Sequence, residues 1–268
     1  MLPGTSPIGE LADVDPRAIP SDLLQSGKPV VLRGLVAKWP MVQASRGPAE
    51  ASVAYLRGFE RADAPPVVAT VGPPEIGGRF FYNDDLSGFN FRQEHVPLGV
   101  ALKTLLKYAQ QDTSPAIYIG STTIDTWLPG FRERNDLTIP GAEPLASIWI
   151  GNRTRIAAHQ DVPDNLACVV AGRRRVTLFP PDQLRNLYIG PLDHTPAGQP
   201  ISLVDFAAPD YERFPRFREA QVHALTAVLE PGDAVLIPSL WWHHMEALED
   251  FNVLVNYWWR QTPAWMDT

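Results

Sequence analysis

The chain has 268 residues and a formal net charge of −7, with 45% hydrophobic and 20% charged residues, a globular composition rather than a disordered one. Net acidity without a Lys/Arg-rich face argues against a duplex nucleic-acid binder. A single cysteine, Cys168, excludes an internal disulfide and a thiolate zinc cage and fits a reducing, cytoplasmic setting, while no apolar run is long enough for a membrane span and residues 1–16 lack the pattern of a secretory leader.

The 27 prolines point to loops and short strands. In the first third, residues 29–33 predict a buried strand. Residues 48–59 predict a helix, with Pro48 at its start and Val53, Leu56 and Phe59 three apart. Residues 79–82 predict a strand. Residues 96–111 form the best helical pattern, with Leu98, Leu102, Leu105, Leu106 and Ala109 on one stripe. A strand over 116–119 follows. From Ala146 onward, short β-rich runs alternate with Gly, Pro, Asn and Asp, at 147–150, 153–159, 165–170, 174–179, 224–229, 234–238, 241–247 and 252–259. Eight such strands suggest a closed barrel or a jelly roll. Residues 180–219 are a long excursion between strands. With no break clean enough for a linker, 1–268 reads as one mainly β domain with helices (α+β). Its helix-bearing N-terminal part (1–115) packs on a β core (116–260).

Four constellations carry chemistry. In His159-Gln160-Asp161, residues two apart on a strand share a face, so an imidazole and a carboxylate point together and one metal ion can take both. The same triplet also arises as a strand-end His and Asp beside a turn, but the small neighbours Ala157 and Ala158 leave room beside the ring. In Trp241-Trp242-His243-His244, adjacent histidines face opposite ways, so at most one can join the first pair. Two His and one carboxylate leave coordination positions open, which suits iron(II) that must also bind a cosubstrate and O₂. In Gly172-Arg173-Arg174-Arg175-Val176-Thr177-Leu178-Phe179, Arg174 shares a face with Val176 and Leu178. A buried guanidinium needs an anion, either an internal partner or a dicarboxylate cosubstrate. Asn256, on the same face as Leu254 and Trp258, and Asn165, in register with Ala167 and Val169, either line a polar cavity or cap strand ends.

These residues together resemble the cupin-like (JmjC-type) iron(II)/2-oxoglutarate oxygenases, and within them the asparaginyl hydroxylases. The motifs are His159-Gln160-Asp161 with Asn165, Gly172-Arg173-Arg174-Arg175 with Leu178-Phe179-Pro180-Pro181-Asp182-Gln183, Val204-Asp205-Phe206, Pro209-Asp210-Tyr211-Glu212-Arg213-Phe214-Pro215, Pro231-Gly232-Asp233, Ile237-Pro238, Trp241-Trp242-His243-His244 and Val255-Asn256. The resemblance implies a double-stranded β-helix (jelly roll) with an N-terminal helical buttress. It also implies His159, Asp161 and His243 as iron ligands, with His244 on the other face. Arg174 falls where the family places a lysine that holds the far carboxylate of 2-oxoglutarate, Tyr118 matches a tyrosine on that carboxylate, and Asn165 and Asn256 match asparagines near its iron-bound end. The sequence departs from the family at Ile156, where Thr or Ser usually contacts the cosubstrate, and at Pro200-Ile201, where the asparaginyl hydroxylases carry Arg-Gln. The implied reaction consumes O₂ and 2-oxoglutarate, gives succinate and CO₂, and hydroxylates a protein side chain or a small molecule. Tyr82, Trp258 and the 180–219 excursion are expected to border that substrate. Two rival expectations stand beside this one: a metal-dependent cupin enzyme without 2-oxoglutarate (an isomerase or a ring-cleaving dioxygenase), and a non-catalytic binding module.

Overall fold

Alternation along each strand sends neighbouring side chains to opposite faces, and in this protein both faces are covered. The structure, a computed structural model, describes residues 2–260. Its strands are β1 (Ser6–Pro7), β2 (Glu10–Ala12), β3 (Val30–Arg33), β4 (Val67–Gly72), β5 (Arg79–Phe80), β6 (Arg92–Val96), β7 (Ala116–Thr123), β8 (Leu145–Gly151), β9 (Arg155–Gln160), β10 (Asp164–Ala171), β11 (Arg174–Phe179), β12 (Leu225–Leu229), β13 (Ala234–Ile237), β14 (Trp242–Ala247) and β15 (Asn252–Trp259).

All eight strands predicted after Ala146 are present. They pair antiparallel into two four-stranded sheets, β12-β11-β14-β9 and β13-β10-β15-β8, the two halves of a cupin jelly roll. The N-terminal strands lengthen both. β1 and β5 flank the first sheet, making six strands. β3 and β2 join beyond β13, and β7, β4 and β6 beyond β8, making nine. The part before Ala146 is thus more than a helical buttress: it supplies seven strands, of which β1, β2, β4 and β6 were not anticipated.

Three apolar layers result. Leu166, Cys168 and Val170 of β10 and Val253, Val255 and Tyr257 of β15 face away from the other sheet and pack with Val53, Leu56, Leu98, Leu102 and Leu105 of the N-terminal helices. Ala167, Val169, Val176, Val235 and Leu254 fill the space between the sheets. Ala158, Phe179 and Trp242 face outward from the smaller sheet and are covered by Val204, Phe206, Phe214 and Phe217 of the excursion.

The expected 96–111 helix is shorter, Leu98–Tyr108, and Val96 belongs to β6 instead. Pro97 explains the difference, because the residue before proline is pushed out of the α region. The Glu60 carboxylate accepts the Gly99 N–H at 2.6 Å and satisfies one of the orphan donors in the helix's first turn. The helix expected over 48–59 runs Ala49–Arg57. Between β10 and β11 the turn needs Gly172: its φ is +70°, and a Cβ there would lie 2.3 Å from Asn252 Oδ1. Among the described residues, no helix is long and apolar enough to cross a membrane.

Candidate metal centre

β9 and β14 are antiparallel neighbours in which His159 and His243 stand directly opposite each other. Their rings lie 4.2 Å apart at 56°. Asp161 follows immediately after β9, and its backbone carbonyl accepts the Leu240 N–H at 2.9 Å. One ligand atom from each of His159, Asp161 and His243 falls within 4.8 Å of the others. The structure therefore brings together the three residues singled out in the sequence.

Backbone carbonyls fix both tautomers. His159 Nδ1 lies 2.9 Å from the Ala157 carbonyl oxygen and His243 Nδ1 lies 3.1 Å from that of Trp241. A carbonyl only accepts, so each Nδ1 carries the proton and each Nε2 keeps a free lone pair. Burial, reinforced by the neighbouring His159, pushes His243 down to about 4, so its imidazole is neutral at physiological pH. Two imidazoles and a carboxylate suit a divalent cation, and three protein donors leave the remaining positions of an octahedral ion open. His244 points the other way. It packs edge-on to Phe206 at 4.9 Å and lies 3.4 Å from Glu246.

The triad opens into a cavity of about 400 Å³ between the sheets, whose lining includes Tyr118, Asn165, Arg174, Asn256 and Trp258. Arg174 opens β11 and is 2% exposed. Its sequence neighbours are paired, Arg173 with Glu249 at 2.6 Å and Arg175 with Glu246 at 2.5 Å. Arg174 has no acidic partner among the described residues, and its buried Nε and Nη2 have no hydrogen-bond acceptor. Burial pulls its guanidinium below the usual arginine range, with the nearby Tyr118 opposing that pull. Burial likewise raises the Tyr118 phenol, and Arg174 offsets part of the rise. A cation of this kind is costly to leave unpaired. The orphaned donors show that the cavity fits an anion.

Both asparagines line the cavity rather than capping strands. Asn256 donates to Asn165 Oδ1 at 3.2 Å and accepts from the Trp149 indole at 2.6 Å. Trp149 stacks on Tyr118 at 5.8 Å. Ile156 also lines the cavity, whereas Thr154 does not, so the departure at Ile156 leaves an apolar wall where a hydroxyl was expected.

The two residues expected to border a substrate differ. Trp258 lines the cavity, and its indole N–H donates to Asp161 Oδ2 at 3.2 Å. Tyr82 does not line the cavity. It is 3% exposed, buried with Ala157 and Ile201, and its hydroxyl donates to the His194 carbonyl at 2.7 Å. A backbone bridge pairs Tyr82 with Phe89, and the two rings stack at 5.7 Å. Of the excursion, Pro196, Ala197, Gln199 and Ile201 reach the cavity. Sequence reading missed Val68 and Thr70 on β4 and Phe91 and Gln93 beside and on β6, and it named the excursion without singling out Gln199. The β-branched run Val67-Val68-Ala69-Thr70-Val71 signals a strand at β4. Gln199 lies in a loop without periodicity.

Fold and site together define a cupin jelly roll with a facial two-histidine, one-carboxylate triad. The chain belongs to the cupin-like domain family, whose model matches residues 16–264. It is 38% identical over 106 residues to the tRNA wybutosine-synthesizing protein 5 of Danio rerio, covering 40% of this chain and 29% of that protein. It is 35% identical over 127 residues to the HSPB1-associated protein 1 of Homo sapiens, covering 46% and 25%. Similarity to the lysine-specific demethylase 8 of Xenopus tropicalis is lower, 26%, but extends over 242 residues, 87% of this chain and 48% of that protein. The chain thus spans between a quarter and a half of the length of these relatives.

Proposed function

We propose that this protein is an iron(II)- and 2-oxoglutarate-dependent oxygenase that hydroxylates an uncharged group of a protein side chain or small molecule. The observation that carries the reading is Arg174: a buried guanidinium with unpartnered donors in the same cavity as the triad. A metal-only cupin has no use for a cation there, and a diacid cosubstrate does.

In this reading the Nε2 atoms of His159 and His243 and the Asp161 carboxylate hold the iron. Arg174 and Tyr118 take the distal carboxylate of 2-oxoglutarate, and Asn165 and Asn256 provide amides toward its other end. When bound, iron and 2-oxoglutarate supply the oxidising chemistry, in which O₂ is consumed, succinate and CO₂ form, and a C–H bond is hydroxylated. The protein positions and excludes. Ile156, Ala167, Met245 and Leu254 give the cavity apolar walls that keep water from the cosubstrate. Toward solvent, Val68, Thr70, Phe91, Gln93, Gln199 and Trp258 offer contacts without formal charge, which favours an uncharged reacting group. The Nδ1–H bonds to Ala157 and Trp241 keep both imidazoles in the metal-binding tautomer.

The test is iron-dependent succinate formation from 2-oxoglutarate in the absence of a substrate, with wild type and Arg174→Ala compared. Succinate from wild type, lost in Arg174→Ala while metal is still bound, is the expected result. Wild-type metal binding without any uptake of 2-oxoglutarate overturns the reading and favours a cupin enzyme that needs no diacid.

A further inference from the structure

We propose that Trp258 and Gln199 are positioning residues that clamp the Asp161 carboxylate from opposite sides and so set the affinity and geometry of the metal centre. This inference rests on the metal-centre reading above and concerns two residues that need not touch the metal.

Asp161 lies just beyond the end of β9, where no ladder partner restrains its side chain. Its backbone is pinned by the Leu240 N–H, and Leu240 holds a left-handed φ of +65°, a conformation that costs a non-glycine residue free energy. The side chain is restrained separately. Oδ2 is the oxygen toward the histidines, 3.6 Å from His243 Nε2, and it accepts the Trp258 indole N–H at 3.2 Å. Oδ1, the other oxygen, accepts the Gln199 amide at 3.3 Å. One donor on each oxygen leaves a single orientation in which one oxygen faces the histidines. Partners of this kind fix a ligand's orientation before the metal arrives.

Each donor is itself held. Trp258 is on β15, edge-on to Trp149 at 5.6 Å and 90°. Gln199 is on the 191–200 loop, whose base is closed by the Gly190 N–H to Ile201 carbonyl bond at 2.9 Å and tied to β9 by the Ser202 N–H to Ala158 carbonyl bond at 2.8 Å. The loop's outer limb is tied by the Tyr82 hydroxyl to the His194 carbonyl, and His194 stacks on Phe89 at 4.5 Å and 18°. Tyr82 therefore acts on the site through the loop rather than by meeting a substrate.

The experiment titrates the metal-free full chain with Co(II) and records the dissociation constant and the visible d–d bands. Trp258→Phe keeps a ring against Trp149 and removes the N–H, and Gln199→Leu removes the amide at similar size. Each is expected to weaken Co(II) binding about ten-fold and to alter the d–d bands, with the metal-free melting temperature unchanged. Wild-type affinity and bands in both variants overturn the clamp. So does an affinity loss matched by a fall in metal-free melting temperature, which assigns the pair a purely structural role. Asp161→Ala separates the two readings. If it binds Co(II) as wild type does, the metal-centre reading itself fails. If it loses Co(II) while the clamp variants keep it, only the clamp fails.

Discussion

Arg174 and Arg175 are adjacent in sequence and opposite in circumstance. Arg175 meets Glu246 at 2.5 Å on the outer face of β11, whereas Arg174, on the inner face, is 2% exposed and finds no acidic partner among the described residues. Arg174→Met should therefore abolish 2-oxoglutarate binding without lowering stability, because it replaces an uncompensated buried cation with an apolar side chain. Two charge-assisted hydrogen bonds of about 1.5–3 kcal/mol each put the loss of affinity at 100-fold or more. Calorimetry with Mn(II) present checks the binding. Thermal unfolding checks the stability: 2-oxoglutarate should raise the melting temperature of wild type and leave the variant unmoved.

His243→Ala and His244→Ala should separate cleanly. The first removes a donor from the triad and is expected to lose metal binding while the fold stays intact, since the apolar layers do not depend on the metal. The second removes the ring packed on Phe206 and should cost about 1–3 kcal/mol of stability while metal binding is retained. Metal titrations and denaturant unfolding on both variants give the comparison. Equal metal loss in the two contradicts the assignment.

Glu246 predicts an acid-side dependence of stability. Burial raises its carboxyl, but hydrogen bonds and charge from His244 and Arg175 outweigh that and hold it at about 2. Its folded value is below the unfolded one, so the contribution is fully present above the unfolded pKa near 4.3 and is lost as pH falls from there toward 2. The shift corresponds to roughly 3 kcal/mol by linkage, which solvent screening of this partly exposed pair reduces to about 2 kcal/mol. Urea unfolding between those limits should show a shallower slope in Glu246→Gln than in wild type. Identical slopes rule the contribution out.

Ile156 lines the cavity opposite Met245 on β14, where the family usually has a hydroxyl. Ile156→Thr should tighten 2-oxoglutarate binding by about 2- to 10-fold, the worth of one net hydrogen bond of 0.5–1.5 kcal/mol. The Michaelis constant for 2-oxoglutarate in the succinate assay measures it. An unchanged or raised constant means the cosubstrate does not reach that wall.

The jelly-roll half was legible because its strands are short, β-rich and separated by turn residues. Parity put His159 with Asp161, and Arg174 with Val176 and Leu178, on shared faces, and the family resemblance turned those faces inward. The paired histidines could not be ranked that way without a family likeness, because parity says only that they differ. β4 and β6 were missed for different reasons. The Val67–Gly72 run is β-branched but sits among prolines and glycines, and β6 is an exposed strand of polar residues whose only apolar end, Val96, was drawn into the following helix until Pro97 intervened. Gln199 and Tyr82 acquired their positions through a loop whose path depends on tertiary contacts, and no local pattern encodes such a path.

The opposition of His159 and His243 across β9 and β14 makes the centre intolerant of slippage. Sliding β14 by a single residue would exchange inside for outside, sending His244 into the cavity and exposing the former ligand to the aromatic layer beneath the excursion. An insertion or deletion of one amino acid between Leu240 and His243 would leave composition, charge and apolar content almost untouched and still dismantle the centre. Length in this segment is therefore under tighter constraint than the identity of most of its side chains.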